Sequence, residues 1–129
     1  MSESHNKKLG HIGEMIAARY LRTKQYVILG SNYRKPFGEI DLIARAPDAT
    51  LVFCEVKTKL GKSGSFRPED QLTPAKLKRT QRISKFFANL YPSLINGERG
   101  WRIDLIAVIL HRGLARNWKA TIRHYECVG

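Results

Sequence analysis

The apolar positions of the chain change period three times, from helix to strand, back to helix and again to strand. Over residues 4–24, Leu9, Ile12, Ile16 and Tyr20 recur at three- and four-residue steps, with Ala17 and Leu21 widening the stripe. This spacing predicts an amphipathic helix. Arg19, Arg22 and Lys24 lie toward its C-terminal end, where the helix dipole favours positive charge. Residues 26–29 read as a short strand, punctuated by Gly30, Ser31 and Asn32 and resumed at Tyr33 and Arg34. Two apolar runs, 40–44 and 51–56, then flank a turn with Pro47 and Asp48, the pattern of a β-hairpin. Thr73 as N-cap and Pro74 at the first helical position open a second helix, which runs to about residue 91. Its apolar side is Leu77, Ile83, Phe86, Phe87 and Leu90. After a turn at Asn96, Gly97 and Gly100, residues 101–110 form a long strand whose unbroken apolar run from Leu105 implies burial on both faces. Residues 118–125 alternate in the manner of an edge strand. The order predicts an α/β fold, a mixed sheet of about five strands flanked by helices. A length of 129 residues with 43% apolar content fits one domain, 1–129, with a real core.

The pattern is broken where charge enters the strands. Asp41 sits inside the first hairpin arm, and Glu55 and Lys57 end the second. Strand side chains alternate, so Glu39, Asp41 and Ile43 share one face and Phe53, Glu55 and Lys57 another. If those faces coincide, two carboxylates and an ammonium converge at a sheet edge. Like charges held together out of water are costly unless a cation offsets them. Carboxylate oxygens are hard ligands that suit magnesium or manganese, and magnesium commonly takes one or two of them plus a substrate phosphate. The Val56 carbonyl, between Glu55 and Lys57, is a further oxygen of the same kind. Lys57 is placed to orient an attacking water or to stabilise charge at phosphorus.

The net charge of +12 points the same way, because a basic chain of this size meets polyanions. The second helix carries Lys76, Lys78, Arg79, Arg82 and Lys85 with no acid between Pro74 and Tyr91. A solvated face normally mixes signs, whereas an all-positive face calls for something negative, here the phosphates of a nucleic acid. Gly10 and Gly13 each cost the first helix about 1 kcal/mol against alanine. Close packing on the sheet or approach of a ligand would justify them, and fraying would do so for Gly10. The Gly- and Ser-rich loop at 59–70 leaves the strand that carries Glu55, well placed to close over a ligand. Asp104 reads equally as a salt bridge at the start of its strand or as a site residue.

Other chemistries lack their residues. The sequence shows no Ser or Cys nucleophile pattern and no phosphate-binding Gly-x-x-x-x-Gly-Lys loop. Cys54 and Cys127 are too far apart for zinc spacing and read as reduced thiols. The four histidines are scattered, and His11 reads as a surface residue despite its spacing to Glu14. No run approaches the ~20 apolar residues of a spanning helix, and the first residues carry no signal core, which together predict a cytoplasmic protein.

Gly10-His-Ile-Gly13-Glu14, Gly38-Glu39-Ile40-Asp41-Leu42-Ile43, Val52-Phe53-Cys54-Glu55-Val56-Lys57, Thr73-Pro74-Ala-Lys76 and Arg102-Ile-Asp104 stand in the order found in the YraN-like bacterial proteins, a largely uncharacterised family. These resemble the PD-(D/E)XK nuclease superfamily, archaeal Holliday junction resolvases in particular. The resemblance implies a restriction-endonuclease-like core, Asp41 and Glu55 as metal-binding carboxylates, and Lys57 as the catalytic lysine. It adds Glu14 as a helix acid at the same metal and Lys76 as a basic residue near the phosphates. Cys54 replaces a common valine and is expected to face the core. The resulting expectation is a magnesium-dependent DNA endonuclease, with manganese an acceptable substitute, acting on branched or structured DNA. Its metal ligands would be Glu14, Asp41, Glu55 and Val56, and its phosphate contacts Lys76, Lys78, Arg79 and Arg82. The alternative is a nucleic-acid-binding module of the same fold without hydrolysis. Cutting both strands would call for two visits or a homodimer, for which Trp101, Trp118 and Tyr125 are the exposed aromatic candidates.

Overall fold

The computed structural model describes residues 3–61, 72–113 and 117–129, with side chains from residue 7 onward. Its elements are α1 (Glu3–Thr23), β1 (Val27–Lys35), β2 (Gly38–Arg45), β3 (Leu51–Leu60), α2 (Pro74–Leu90), a 3-10 turn (Pro92–Leu94), β4 (Trp101–Arg112) and β5 (Trp118–Tyr125). The loop expected at 59–70 lies largely outside the described residues. All five strands form one sheet in chain order. β1, β2 and β3 are antiparallel neighbours, β3 and β4 run parallel, and β5 returns antiparallel. The mixed sheet with flanking helices is the architecture the resemblance implies.

The parallel step follows from α2, because parallel neighbours need a long crossover. Thr73 caps that helix by accepting from the Lys76 N–H at 3.2 Å. α1 packs on one face of the sheet through Ala17, Ala18 and Leu21, against Leu42, Val52, Cys54, Ile106 and Val108. α2 packs on the other through Ile83 and Phe87, against Ile40, Ile43, Phe53 and Ile103. β4 has α1 on one face and α2 on the other, which is why residues 103–110 are all buried. Cys54 lies fully buried in the α1-side core, and burial pushes its thiol pKa up, so it is inert.

Four expectations change. β1 is one strand, not two pieces: its ladder with β2 continues past Gly30 through a register shift between Ile28 and Gly30. Asn32, in that stretch, takes a positive φ of 53°. Ile12 is 47% exposed although it falls on the apolar stripe of α1. On α2, Phe86 and Leu90 are exposed, while Thr80, Ser84 and Ala88 are buried in their place. Of the three aromatics, only Trp118 stands out into solvent; Trp101 meets Phe53 edge to face at 5.4 Å, and Tyr125 packs beside Leu105.

Asp104 holds the C-terminal segment to the sheet. It is fully buried and accepts from Arg102 Nε at 2.9 Å, His124 Nε2 at 2.7 Å and the Cys127 N–H at 3.0 Å. The Tyr20 hydroxyl lies 3.0 Å from His124 Nδ1 and ties α1 into the same network. Burial works to raise the Asp104 pKa, but the bonds from His124, Arg102 and Cys127 prevail and hold it below the usual carboxylate range.

Gly13 sets the distance between α1 and β3. A Cβ there would overlap the Thr58 side chain, so the helix backbone rests directly on a β-branched strand residue. Gly10, one turn earlier, has nothing within 4 Å of that position. Gly13→Ala is therefore expected to destabilise by about 1–3 kcal/mol despite its better helix propensity. Gly10→Ala is expected to stabilise by up to about 1 kcal/mol. Urea denaturation of the two variants measures the contrast, and equal effects would refute the close approach.

Candidate active site

The site begins where the sheet forks. The β2–β3 ladder runs from Arg45↔Leu51 to Leu42↔Cys54. Beyond that, β2 pairs with β1 as far as Lys35↔Gly38, and β3 pairs with β4 as far as Leu60↔Leu110. The Val56 N–H donates to Asp41 Oδ2 at 2.8 Å, a side-chain bond where the next ladder bond would be. Asp41 is thus held between the strands rather than on a sheet edge. Strict alternation also fails here: Ile40 and Ile43 both pack under α2, while Leu42 packs under α1. Of the expected grouping, Glu39 and Asp41 do meet, but Ile43 packs with Ile40 under α2 instead of joining them.

A cleft of about 820 Å³ opens at the fork. Its acids are Glu14, Glu39, Asp41 and Glu55, and its cations are Arg34, Lys35, Lys76, Arg79 and Arg82. Oxygens of Glu14, Glu39 and Asp41 lie within 4.8 Å of one another. α1 reaches the trio because Gly13 presses the helix onto β3, bringing the adjacent Glu14 to the fork. Asn32 faces Glu14; with its amide nitrogen on that side it donates to both carboxylate oxygens at 3.2 Å. Arg34 lies 3.4 Å from Glu39. Glu55 is buried and is not part of the trio; Lys76 Nζ of α2 meets its Oε1 at 2.6 Å.

Desolvation first, and then repulsion from Glu55, raise the Asp41 pKa to about 7, against the pull of the Val56 N–H. Glu14 and Glu39 add to the rise. Three converging carboxylates with a reluctant proton fit a hard divalent cation: the donors are all oxygen, and a cation would relieve the repulsion. Sulfur and imidazole are absent from the trio, which disfavours zinc.

The model of the uncharacterised protein family UPF0102 matches residues 13–108, a span that contains Glu14, the hairpin and α2. The chain belongs to the UPF0102 family. A UPF0102 protein of Fervidobacterium nodosum is 35% identical over 128 residues, covering 99% of this chain and 86% of the relative. One of Alkaliphilus oremlandii is 44% identical over 108 residues, 81% of this chain and 87% of the relative. One of Treponema pallidum is 56% identical over 54 residues, 42% of each chain.

Within this UPF0102 chain the structure brings Glu14, Asp41, Glu55, Val56, Lys76, Arg79 and Arg82 to one cleft. Lys57 is exposed, two residues beyond Glu55, and does not line it; nor does the exposed Lys78. His11 is exposed as expected, with its Nδ1 3.8 Å from Glu14. The sequence reading left out Glu39 as a ligand, Asn32 as the partner of Glu14, and Arg34 and Lys35 as cations of the rim. The two residues between Lys35 and Gly38 carried the signal for the last pair, since so short a turn folds the end of β1 back beside Glu39.

The raised Asp41 pKa makes stability depend on pH. In the unfolded chain Asp41 loses its proton near the ordinary aspartate value of 3.8, whereas folded and metal-free it does so near 7. Between those limits the unfolded state binds fewer protons, so stability falls as pH rises, and above about 7 the loss is complete. Asp41→Asn removes that loss, and in chelator it should gain on the order of a few kcal/mol over wild type between pH 4.5 and 7.5. Denaturant titrations at the two pH values measure this. Parallel behaviour of the two proteins would show that Asp41 ionises normally.

Proposed function

We propose that this UPF0102 protein is a divalent-metal-dependent DNA endonuclease that hydrolyses phosphodiester bonds, with magnesium as its cofactor and manganese as a substitute. The observation that carries the reading is the cleft itself, a carboxylate trio facing a cationic rim. A phosphodiester needs both sides of such a site, metal-binding oxygens at the reacting phosphate and cations along its neighbours.

Glu14, Glu39 and Asp41 would hold the metal, with Glu55 and the Val56 carbonyl beside them. When bound, the metal lowers the pKa of a coordinated water and stabilises charge on the phosphoryl oxygens. Lys76 keeps Glu55 fixed and its charge compensated while the site awaits substrate. Arg79 and Arg82 grip phosphates along α2, with Lys78 further out on the same helix. Lys57, on a flexible four-carbon stem, turns in toward the attacked phosphate when DNA is seated. The present position of Lys57 outside the cleft is what favours a second reading, a DNA-binding module of the same fold without hydrolysis. Either reading goes with a cytoplasmic protein; among the described residues no helix is long and apolar enough to cross a membrane.

The test is cleavage of labelled duplex, single-strand, flap and four-way-junction DNA in magnesium, manganese or chelator. Wild type should cut at least one of these only with metal. Asp41→Asn and Lys57→Ala should each lose on the order of 10²-fold or more in rate while still binding DNA. Salt-sensitive binding without cutting by wild type would replace the nuclease with the binding module.

A further inference from the structure

A second depression adjoins the catalytic cleft. It is a trough of about 520 Å³ between α1 and β1, and Glu14 lines both. Its floor is mostly aliphatic, with Ile12 at 47% and Met15 at 71% exposure. Its rim carries Arg19, Arg22, Ser31 and Asn32, and Glu14 is its one acid among the described residues. Neither arginine makes an ion pair among the described residues. Exposed aliphatics under unpaired cations are unfavourable for a solvated helix face and call for a ligand that is apolar on one side and anionic on the other.

We infer that this trough seats an unpaired strand of the DNA substrate as it leaves the scissile position, bases on Ile12 and Met15 and phosphates on Arg19 and Arg22. The inference rests on the endonuclease reading and adds the substrate class, DNA with a single-stranded arm. A duplex turns its bases inward and offers phosphates and groove edges, leaving an aliphatic floor unfilled. An unpaired strand exposes base faces along with its phosphates. Methionine, unbranched and polarisable, adapts to any base.

The spacing agrees. At 1.5 Å per helical residue, Arg19 and Arg22 stand about 7.5 and 12 Å along α1 from Glu14. At the ~3.4 Å per nucleotide of a stacked strand, these are roughly two and three to four nucleotides from the acids. The cations of α2 lie in the cleft on the other side of the same acids. A strand crossing the trio therefore meets positive charge before and after it, and unpaired-strand character on the α1 side alone.

The experiment measures binding by fluorescence anisotropy in chelator, where nothing is cut. The probes are a blunt duplex and duplexes with 5′ or 3′ single-stranded arms of two, four or eight nucleotides. Wild type should bind one arm polarity at least about tenfold more tightly than blunt duplex, rising to about four nucleotides and then levelling. Arg19→Ala with Arg22→Ala should flatten that rise and lower the salt slope on armed probes by about 0.7 per arginine, with blunt-duplex affinity within about twofold. Met15→Glu should flatten it too, whereas Arg19→Lys with Arg22→Lys, which keeps both charges, should largely retain it. All these positions are exposed, and thermal melting checks the fold. Arm-independent binding by wild type would overturn the trough while leaving the endonuclease to its cleavage test. An arm effect lost with Lys76→Ala and Arg79→Ala but kept without Arg19 and Arg22 would overturn it as well. Absence of salt-sensitive binding to every probe would overturn both readings.

Discussion

The bond from the Val56 N–H to Asp41 is the constraint on which the site depends. A sheet that opens between two strands leaves backbone groups without partners, and a buried unpaired N–H costs about as much as a lost hydrogen bond. Asp41 supplies the partner, so the fork persists without an orphan donor. Its short side chain is suited to this: it bonds the neighbouring strand while staying close to its own. The price is a half-buried carboxylate facing Glu55, with Glu14 and Glu39 nearby, and this is why its proton is held to about pH 7.

Two aspartates of one sheet show how environment decides role. Asp104 is buried against Arg102, His124 and the Cys127 N–H, and its pKa is lowered. Every lone pair it presents has a donor, so it anchors the C-terminal segment and has no need of a ligand. Among the described residues Asp41 has one donor and three acidic neighbours. Sequence alone could not separate them, because each is a single charge inside an apolar strand. The distinction arises from the partners that the topology delivers, a guanidinium and an imidazole in one case and carboxylates in the other. A paired buried carboxylate is structural; an underpaired cluster in a cleft is where ligand chemistry belongs.

Much of the fold was legible because periodicity reports burial. Both helices, the hairpin, the doubly covered β4 and the edge strand β5 followed from spacing and turn residues. β1 was legible only in halves, since Gly30 and the left-handed Asn32 break its pattern while pairing to β2 carries the strand across. In the site, Asp41 and Glu55 announced themselves as charges interrupting apolar runs, and α2 as an unmixed basic helix. The meeting of Glu39 with Glu14, and the pairing of Glu55 with Lys76, depend on where two strands part. A fork has no sequence period, so alternation placed Asp41 on a face when it lies between strands.

The remaining geometric requirement is the approach of α1, and it explains why the helix tolerates a glycine in its interior. Were Gly13 any other residue, the helix would stand off from Thr58 and Glu14 would withdraw from Asp41 and Glu39. The helix gives up about 1 kcal/mol of propensity and accepts a third carboxylate beside two others. Neither concession improves the apo fold, and both become intelligible if a cation occupies the cleft. Ile12 and Met15, either side of Gly13 and Glu14, stay exposed along the trough between α1 and β1. One packing contact thus brings Glu14 to the other acids while Ile12 and Met15 stay exposed beside it, and the proposed seating of a phosphate and its strand rests on that arrangement.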